Sequence, residues 1–228
     1  MTRAVVIGAG GLGCAAALAL AKVGAELTLV DPDRVDATNL HRQLLHRVSD
    51  VGRLKVESAA DRLREAFPSL VLHTQAAAVG AANAERLFSS HDVVIDGTDG
   101  VATKFLLSDA AVLTGVPLVY GGVVQWRGQA MRIAPGGPCL RCLFEAPPPP
   151  DAVPTCAQAG VLGSMAGVVG GLQAHLALEG EPGGLYVVEG HSLCARVVTV
   201  RRAEDCRSCA PSARAGLRLL DEEDRCAR

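Results

Sequence analysis

The chain is 228 residues long with a formal net charge of −2 and a pI near 6.3, and only 3% of its residues are aromatic. That length allows one domain with a substantial core. The near-neutral charge and the scarcity of rings exclude electrostatic or stacking capture of nucleic acid. No basic segment precedes an apolar one at the start, so no secretory leader is expected, and eight cysteines in such a chain point to metal or thiol chemistry in a reducing, cytoplasmic setting.

Val5-Val6-Ile7 is a short β-branched run that stops at Gly8 and yields to an alanine-rich helical stretch, Cys14 to Val23. Gly8, Gly10 and Gly13 take the G-x-G-x-x-G positions, with Gly11 beside them. Glycine there permits the turn, admits backbone close to a phosphate and packs helix on strand, while the helix N-terminus offers free N–H groups to an anion. Leu27 to Val30 reads as the next strand. Asp31 follows it, 18 residues beyond Gly13, where a ribose-binding carboxylate belongs.

A polar stretch, Pro32 to Asp50, holds Asn39, His41, Arg42 and Gln43. Arg53 to Phe67 has helical periodicity ended by Pro68, and Leu70 to His73 is a short strand. Ala81 to Ser89 is a helix, Val93 to Ile95 a buried strand ending at Asp96-Gly97-Thr98-Asp99, Val101 to Leu113 a helix, and Pro117 to Tyr120 begins a strand. This alternation predicts an α/β fold with a mostly parallel, Rossmann-like sheet covered on both faces. Arg42 and Lys55 suit a triphosphate better than a nicotinamide. Asp99 lies at a strand's carboxyl end, where open sheets place ligands; it can hold Mg²⁺, cap the helix beginning near Val101, or do both.

Beyond Gly122 the pattern changes. Val123 to Ile133 reads as a strand or hairpin around Trp126-Arg127-Gly128, and a loop from about Phe144 to Thr155 contains four consecutive prolines. From Ala152 to Leu178 there is no acidic or basic residue except His175, a stretch long enough to span a bilayer. Pro154, Gln158, Gln173, five glycines and the lack of a basic flank favour instead a buried helix packed on a sheet or a partner. Gly163, Gly167 and Gly171 on one face suggest a homodimer contact. Leu185 to Glu189 and Arg196 to Arg201 read as antiparallel strands, followed from Pro211 by a charged tail expected to fray.

Cys139-x-x-Cys142 and Cys206-x-x-Cys209 are two knuckles separated by 63 residues. Together they offer a tetrahedron of thiolates; two knuckles of identical spacing favour structural zinc over a redox pair or coincidence, and four sulfurs leave no open position for catalysis at the metal.

The stretches Gly8-Ala9-Gly10-Gly11-Leu12-Gly13, Asp31-x-Asp33, Asn39-Leu40-His41-Arg42-Gln43, Gly52-x-x-Lys55, Asp96-x-Thr98-Asp99, the two knuckles and Cys156-x-x-x-Gly160-Val161-Leu162-Gly163 resemble, in that order, the HesA/MoeB/ThiF family of ubiquitin-activating-enzyme-like adenylyltransferases. The resemblance implies a single adenylylating domain over residues 1–210. Its nucleotide half would be 1–122, its zinc, crossover-loop and carrier-binding half 123–210, and 211–228 a tail. It implies ATP-dependent adenylylation of a small ubiquitin-like sulfur carrier ending in two glycines. The ATP site would comprise Gly8, Gly10, Gly11, Gly13, Asp31, Asp33, Asn39, Arg42, Gln43, Lys55 and Asp99. Asp31 would hold the ribose, Asn39, Arg42 and Lys55 the phosphates, Asp99 the Mg²⁺, and Cys156 could accept the activated carrier as a thiol. Three departures stand out. No arginine-bearing helix precedes Val5, Gly100 replaces a usual asparagine, and no rhodanese-like domain follows, so a separate sulfur donor is expected. A nicotinamide-dependent oxidoreductase and a non-catalytic binding homologue are the competing readings; neither nucleic acid nor a membrane is expected as a partner.

Overall fold

The computed structural model describes residues 1–148 and 159–219. One eight-stranded sheet runs through it, with β1 (Arg3–Ile7), β2 (Glu26–Val30), β3 (Leu72–Gln75), β4 (Val93–Asp96), β5 (Leu118–Val124), β6 (Arg127–Ile133), β7 (Gly184–Glu189) and β8 (Cys194–Thr199). The order is β3-β2-β1-β4-β5-β6-β7-β8, parallel from β3 to β5 and antiparallel from β5 to β8. The chain runs outward from β1 through β2 to β3, then returns to place β4 on the other side of β1. The β1–β4 junction is therefore the topological switch point, where such sheets open a crevice.

Both faces of β1 are covered, which is why it reads as a continuous apolar run. Ala4 and Val6 face a core shared with α1 (Gly11–Lys22), α2 (Lys55–Ala66) and a long helix, here α6 (Gly163–Glu179). Val5 and Ile7 face α3 (Ala81–Ser89) and α4 (Val101–Thr114), together with the one-turn α5 (Leu140–Leu143). The alternating-element expectation is met. β3 extends two residues past the expected strand because it is the sheet's outer strand. Its exposed His73, Thr74 and Gln75 pair by backbone with Thr28, Leu29 and Val30 without an apolar signature.

Of the apolar stretch 152–178, the part from Gly163 onward forms α6, which lies on α1 and on the sheet, while residues 152–158 lie outside the described residues. No described helix is long and apolar enough to cross a membrane. Its small residues serve internal packing more than the expected single glycine face. A Cβ on Gly170 would stand 2.4 Å from the Leu12 carbonyl oxygen, and one on Gly163 would collide with that of His41, whereas Gly167 and Gly171 have nothing within 4 Å.

Two further boundaries differ. Glu189 pairs with Cys194, so the tight β7–β8 turn starts the last strand two residues earlier than expected and ends it at Thr199. The expected fraying tail begins with a helical turn, α7 (Pro211–Arg214), with buried Ala210 before it and the Arg214 guanidinium on the Leu113 carbonyl at 3.4 Å. The expected hairpin forms with Gln125 and Trp126 as its two-residue turn, Gln125 taking the left-handed φ of 51° that such turns use.

Candidate functional site

Ile7 is paired with Val30 on one side and Asp96 on the other, so the loops after β1, β2 and β4 leave the sheet side by side. The first is the glycine turn. Gly8 adopts a φ of 94°, which excludes a side chain without strain, and a Cβ on Gly13 would sit 1.7 Å from the Gly8 carbonyl oxygen. The helix α1 thus starts hard against the strand that precedes it. Its N-cap is Gly10, with no side-chain cap, leaving the first N–H groups of the helix directed at the crevice.

Asp31 is buried. Its Oδ2 accepts from the Ala9 N–H at 2.6 Å and its Oδ1 from the Asp33 N–H at 2.8 Å. The expected ribose carboxylate is therefore also the brace of the glycine turn, with lone pairs left for a ligand. Lys55, buried at the start of α2, forms an ion pair with exposed Asp33 at 2.7 Å, and its own N–H bonds the Asp33 carbonyl. Arg42 is half-buried and donates to Asn39 Oδ1 at 2.6 Å. Its Cγ lies 3.4 Å from the position of a Cβ on Gly11, so it lies against the first turn of α1. Gln43 is buried, with Oε1 lacking a partner among the described residues and Nε2 3.9 Å from a Cβ position on Gly10.

Asp99 is exposed and makes no hydrogen bond among the described residues. The capping alternative is corrected here, because the N-cap of α4 is Gly100 and the Asp99 carboxylate does not engage the helix. Gly100 itself has φ −74° and ψ 120°, values open to any residue, so the departure at this position imposes no special turn. The loop before Asp99 is built by Asp96 and Thr98 of the motif together with Lys104, which the sequence did not flag, and Gln173, to which it gave no role here. Asp96 Oδ1 accepts from the Thr98 N–H and hydroxyl at 3.0 and 2.7 Å. Lys104 fills its three donor positions with Asp96 Oδ2 at 3.0 Å, the Thr98 carbonyl at 2.7 Å and the Gly121 carbonyl at 2.6 Å. Gln173 of α6 donates to the Asp96 and Val119 carbonyls. The available signal was a lysine inside the otherwise apolar first turns of α4, eight residues after Asp96.

His46 was likewise given no role. It is buried, with Nδ1 2.9 Å from Ser58 Oγ and Nε2 3.1 Å from the Ala9 carbonyl. Burial pulls its pKa below the usual histidine value, against the opposing effect of the Ala9 hydrogen bond.

The four knuckle cysteines converge, with all sulfurs within 4.8 Å of one another. Individual separations are 4.0 Å for Cys139–Cys142, 3.6 Å for Cys139–Cys206 and 3.4 Å for Cys142–Cys209. A tetrahedron with sulfur at about 2.3 Å from a central ion has edges of roughly 3.8 Å, so the donor set fits zinc. Burial pushes the Cys139 and Cys209 thiols up, Cys209 to about 12. Burial also opposes ionisation of Cys206, but the Cys209 and Ser208 amides bring it down to about 7. Both knuckles are tied to one buried carboxylate of α4. Asp109 takes a bidentate Arg141 at 3.0 and 2.8 Å and the Ser208 hydroxyl at 2.9 Å. Cys156 lies outside the described residues.

The class these features define is a doubly wound α/β domain with a crevice at its switch point and a four-cysteine cluster joining its two knuckles. The ThiF family matches residues 1–180, and the chain belongs to that family. It is 41% identical over 232 residues to the "Adenylyltransferase and sulfurtransferase MOCS3" of Culex quinquefasciatus, covering 97% of this chain and 53% of that protein. It is 39% identical over 234 residues to the "SAMP-activating enzyme E1" of Haloferax volcanii, covering 99% and 87%. The chain thus spans about half the length of the MOCS3 relative. Among solved structures, E. coli MccB with ATP superposes with a TM-score of 0.78 at 18% identity, over 91% of this chain and 67% of that one, which shows the shared fold.

Proposed function

We propose that this chain activates the C-terminal carboxylate of a small ubiquitin-like sulfur carrier ending in two glycines, using ATP and Mg²⁺. A carboxylate oxygen attacks the α-phosphorus, the bond to the bridging oxygen breaks, pyrophosphate leaves and the carrier retains an acyl-adenylate. The observation that carries this reading is the free Asp99 carboxylate, unused for capping, in the crevice that also holds the glycine turn, Asp31 and the Arg42–Asn39 pair. The names of the relatives, adenylyltransferase and E1, support it.

The roles follow from chemistry. The N–H groups of Gly10 and Gly11 and the α1 dipole receive phosphate oxygens. Gly8 and Gly13 shape that turn, Asp31 takes ribose hydroxyls, and buried Gln43 offers its unpartnered Oε1 to the nucleotide. Arg42, steadied by Asn39, forms a fork over the phosphates. Lys55 supplies a point charge whose counter-ion, Asp33, holds it in place. Asp99 holds Mg²⁺, which supplies neutralisation of charge building on the departing pyrophosphate. Transfer of this kind depends on positioning and electrostatics more than on covalent help.

In this reading residues 1–122 serve the nucleotide. Residues 123–210 provide one structural zinc at Cys139, Cys142, Cys206 and Cys209, the crossover loop with Cys156 as a thiol acceptor, and the carrier surface, with residues 211–228 a tail. The chain works as a homodimer, which the outward side of α6 supports, since Gly167 and Gly171 border open space and Val168 is 50% exposed. Sulfur comes from a separate donor protein. A cytoplasmic setting accords with the six described cysteines, all free thiols. Ligand-induced stabilisation tests the nucleotide assignment. ATP with Mg²⁺ at a hundred times its Kd raises unfolding free energy by about 2.7 kcal/mol, whereas a stabilisation by NAD alone would assign the crevice to a nicotinamide.

A further inference from the structure

We propose that His46 is a positioning residue that locks the Ala9–Gly10 peptide so that the Gly10 N–H faces the nucleotide phosphates. The proposal rests on the nucleotide reading above for the identity of the ligand, but the lock itself is a property of the glycine turn.

The Ala9 carbonyl is only an acceptor, so at 3.1 Å His46 Nε2 must carry the hydrogen. Nδ1 of the ring lies 2.9 Å from the fully buried Ser58 hydroxyl, whose one hydrogen is shared between the ring and the Asp50 carboxylate. Ser58 stands on α2, so the imidazole ties the glycine turn to a neighbouring helix. Cys14 of α1 adds a weaker donor, its Sγ lying 3.3 Å from the same carbonyl. On the other side of Ala9, its N–H is held by Asp31 Oδ2 at 2.6 Å. Both peptide groups of Ala9 are thereby fixed from the protein interior.

No peptide bond in the described structure is cis. In a trans peptide the C=O and the following N–H point in opposite directions. With the Ala9 C=O turned inward onto His46, the Gly10 N–H is turned outward, and it has no acceptor among the described residues. Rotation of this peptide would withdraw that donor from the crevice and present a carbonyl oxygen to the phosphates, replacing attraction with repulsion. A glycine at position 10 gives no steric resistance to such a rotation, since a Cβ there would meet nothing closer than 3.8 Å. The resistance has to come from hydrogen bonds, and His46 provides the one that reaches across from outside α1. Lys55, Asp50 and Asp31 are the charged groups that act on the ring, and its burial favours the neutral form.

The test compares His46→Gln with His46→Asn. The glutamine amide reaches the Nε2 position and can donate to the Ala9 carbonyl, while the asparagine amide ends near Nδ1 and reaches only Ser58. The full-length protein, labelled with nitrogen-15, is examined for the Gly10 amide resonance, and ATP-Mg²⁺ affinity is measured by calorimetry. Thermal midpoints confirm that both variants are folded. His46→Gln is expected to keep the Gly10 resonance near its wild-type position and ATP affinity within about threefold. His46→Asn is expected to displace that resonance and weaken ATP by roughly tenfold, the order set by losing one buried hydrogen bond. A Gly10 resonance unmoved in His46→Asn, or equal behaviour of the two variants in both measurements, overturns the proposal. A displaced resonance in a protein whose wild type does not bind ATP upholds the lock and overturns the nucleotide reading.

Discussion

Lys104→Met isolates a buried ion pair at the centre of the fold. Asp96 is completely buried, and Lys104 is its only cationic partner among the described residues, at 3.0 Å. Methionine keeps the apolar stem and most of the volume, so the cost is electrostatic and not a cavity. Asp96 would retain the two Thr98 bonds on Oδ1, but Oδ2 and the Thr98 and Gly121 carbonyls would each lose a donor. Removing one member of a buried pair costs about 3–5 kcal/mol, chiefly from the charge left unpaired. For a chain of this size that is a fall of roughly 10 °C in midpoint, read by reversible thermal or urea unfolding. Asp96→Asn combined with Lys104→Met removes the orphan charge and should recover about half of the loss, a coupling that the double-mutant cycle reports directly. A Lys104→Met penalty below about 1 kcal/mol, or strict additivity in the cycle, would refute the description of this pair.

Gly13→Ala should abolish soluble folded protein, because its Cβ would sit 1.7 Å from a backbone oxygen, whereas Gly10→Ala should cost less than about 1 kcal/mol yet weaken ATP binding; equal stabilities by thermal unfolding would contradict the assigned packing. Cys206→Ser should lower zinc from about one per chain towards zero by metal analysis, with a loss of stability, and Asp109→Asn should accelerate zinc release to a chelator by about tenfold, since both knuckles hang on that carboxylate. His46, with its depressed pKa, sets a pH dependence. The unfolded histidine gains a proton below about pH 6.5 while the folded one resists, so this contribution is complete above pH 6.5 and is lost as pH falls towards the folded value. Urea midpoints between pH 7.5 and 5.5 should therefore slope downward less steeply in His46→Gln than in the wild type, the slope common to both coming from Cys206, whose lowered value of about 7 lies in the same window; the carboxylates Asp36, Asp50 and Asp92, whose values are lowered, act only below about pH 4.

What could be read from the sequence was what local pattern encodes. The apolar runs of β1, β2 and β4, the helical periodicity of α2 and the spacing of Gly8, Gly10 and Gly13 are properties of neighbouring residues, and they located the crevice at the β1–β4 junction. Both knuckles were legible because each is a four-residue unit. What escaped depends on contacts between distant segments. Lys104 carried no local signal of its partners, Asp96 and the Gly121 carbonyl, and His46 became informative only when α2 and the glycine turn were brought together. The glycine spacing in α6 was read as one face, but the close contacts fall at Gly170, against α1, and at Gly163, against the His41 carbonyl of the polar loop, and leave Gly167 and Gly171 outside. The β8 boundary followed pairing register, which no single strand contains.

Carrier-dependent exchange of labelled pyrophosphate into ATP measures the proposed activation step alone, before any sulfur chemistry. The wild-type chain, given a small ubiquitin-like carrier ending in two glycines, should exchange, and Cys156→Ala should exchange equally, since a thiol acceptor would act only afterwards. Asp99→Asn should lower the rate by about a hundred- to a thousand-fold, the loss associated with a single electrostatic contact to developing charge. Exchange by Asp99→Asn at the wild-type rate would contradict the account at its centre.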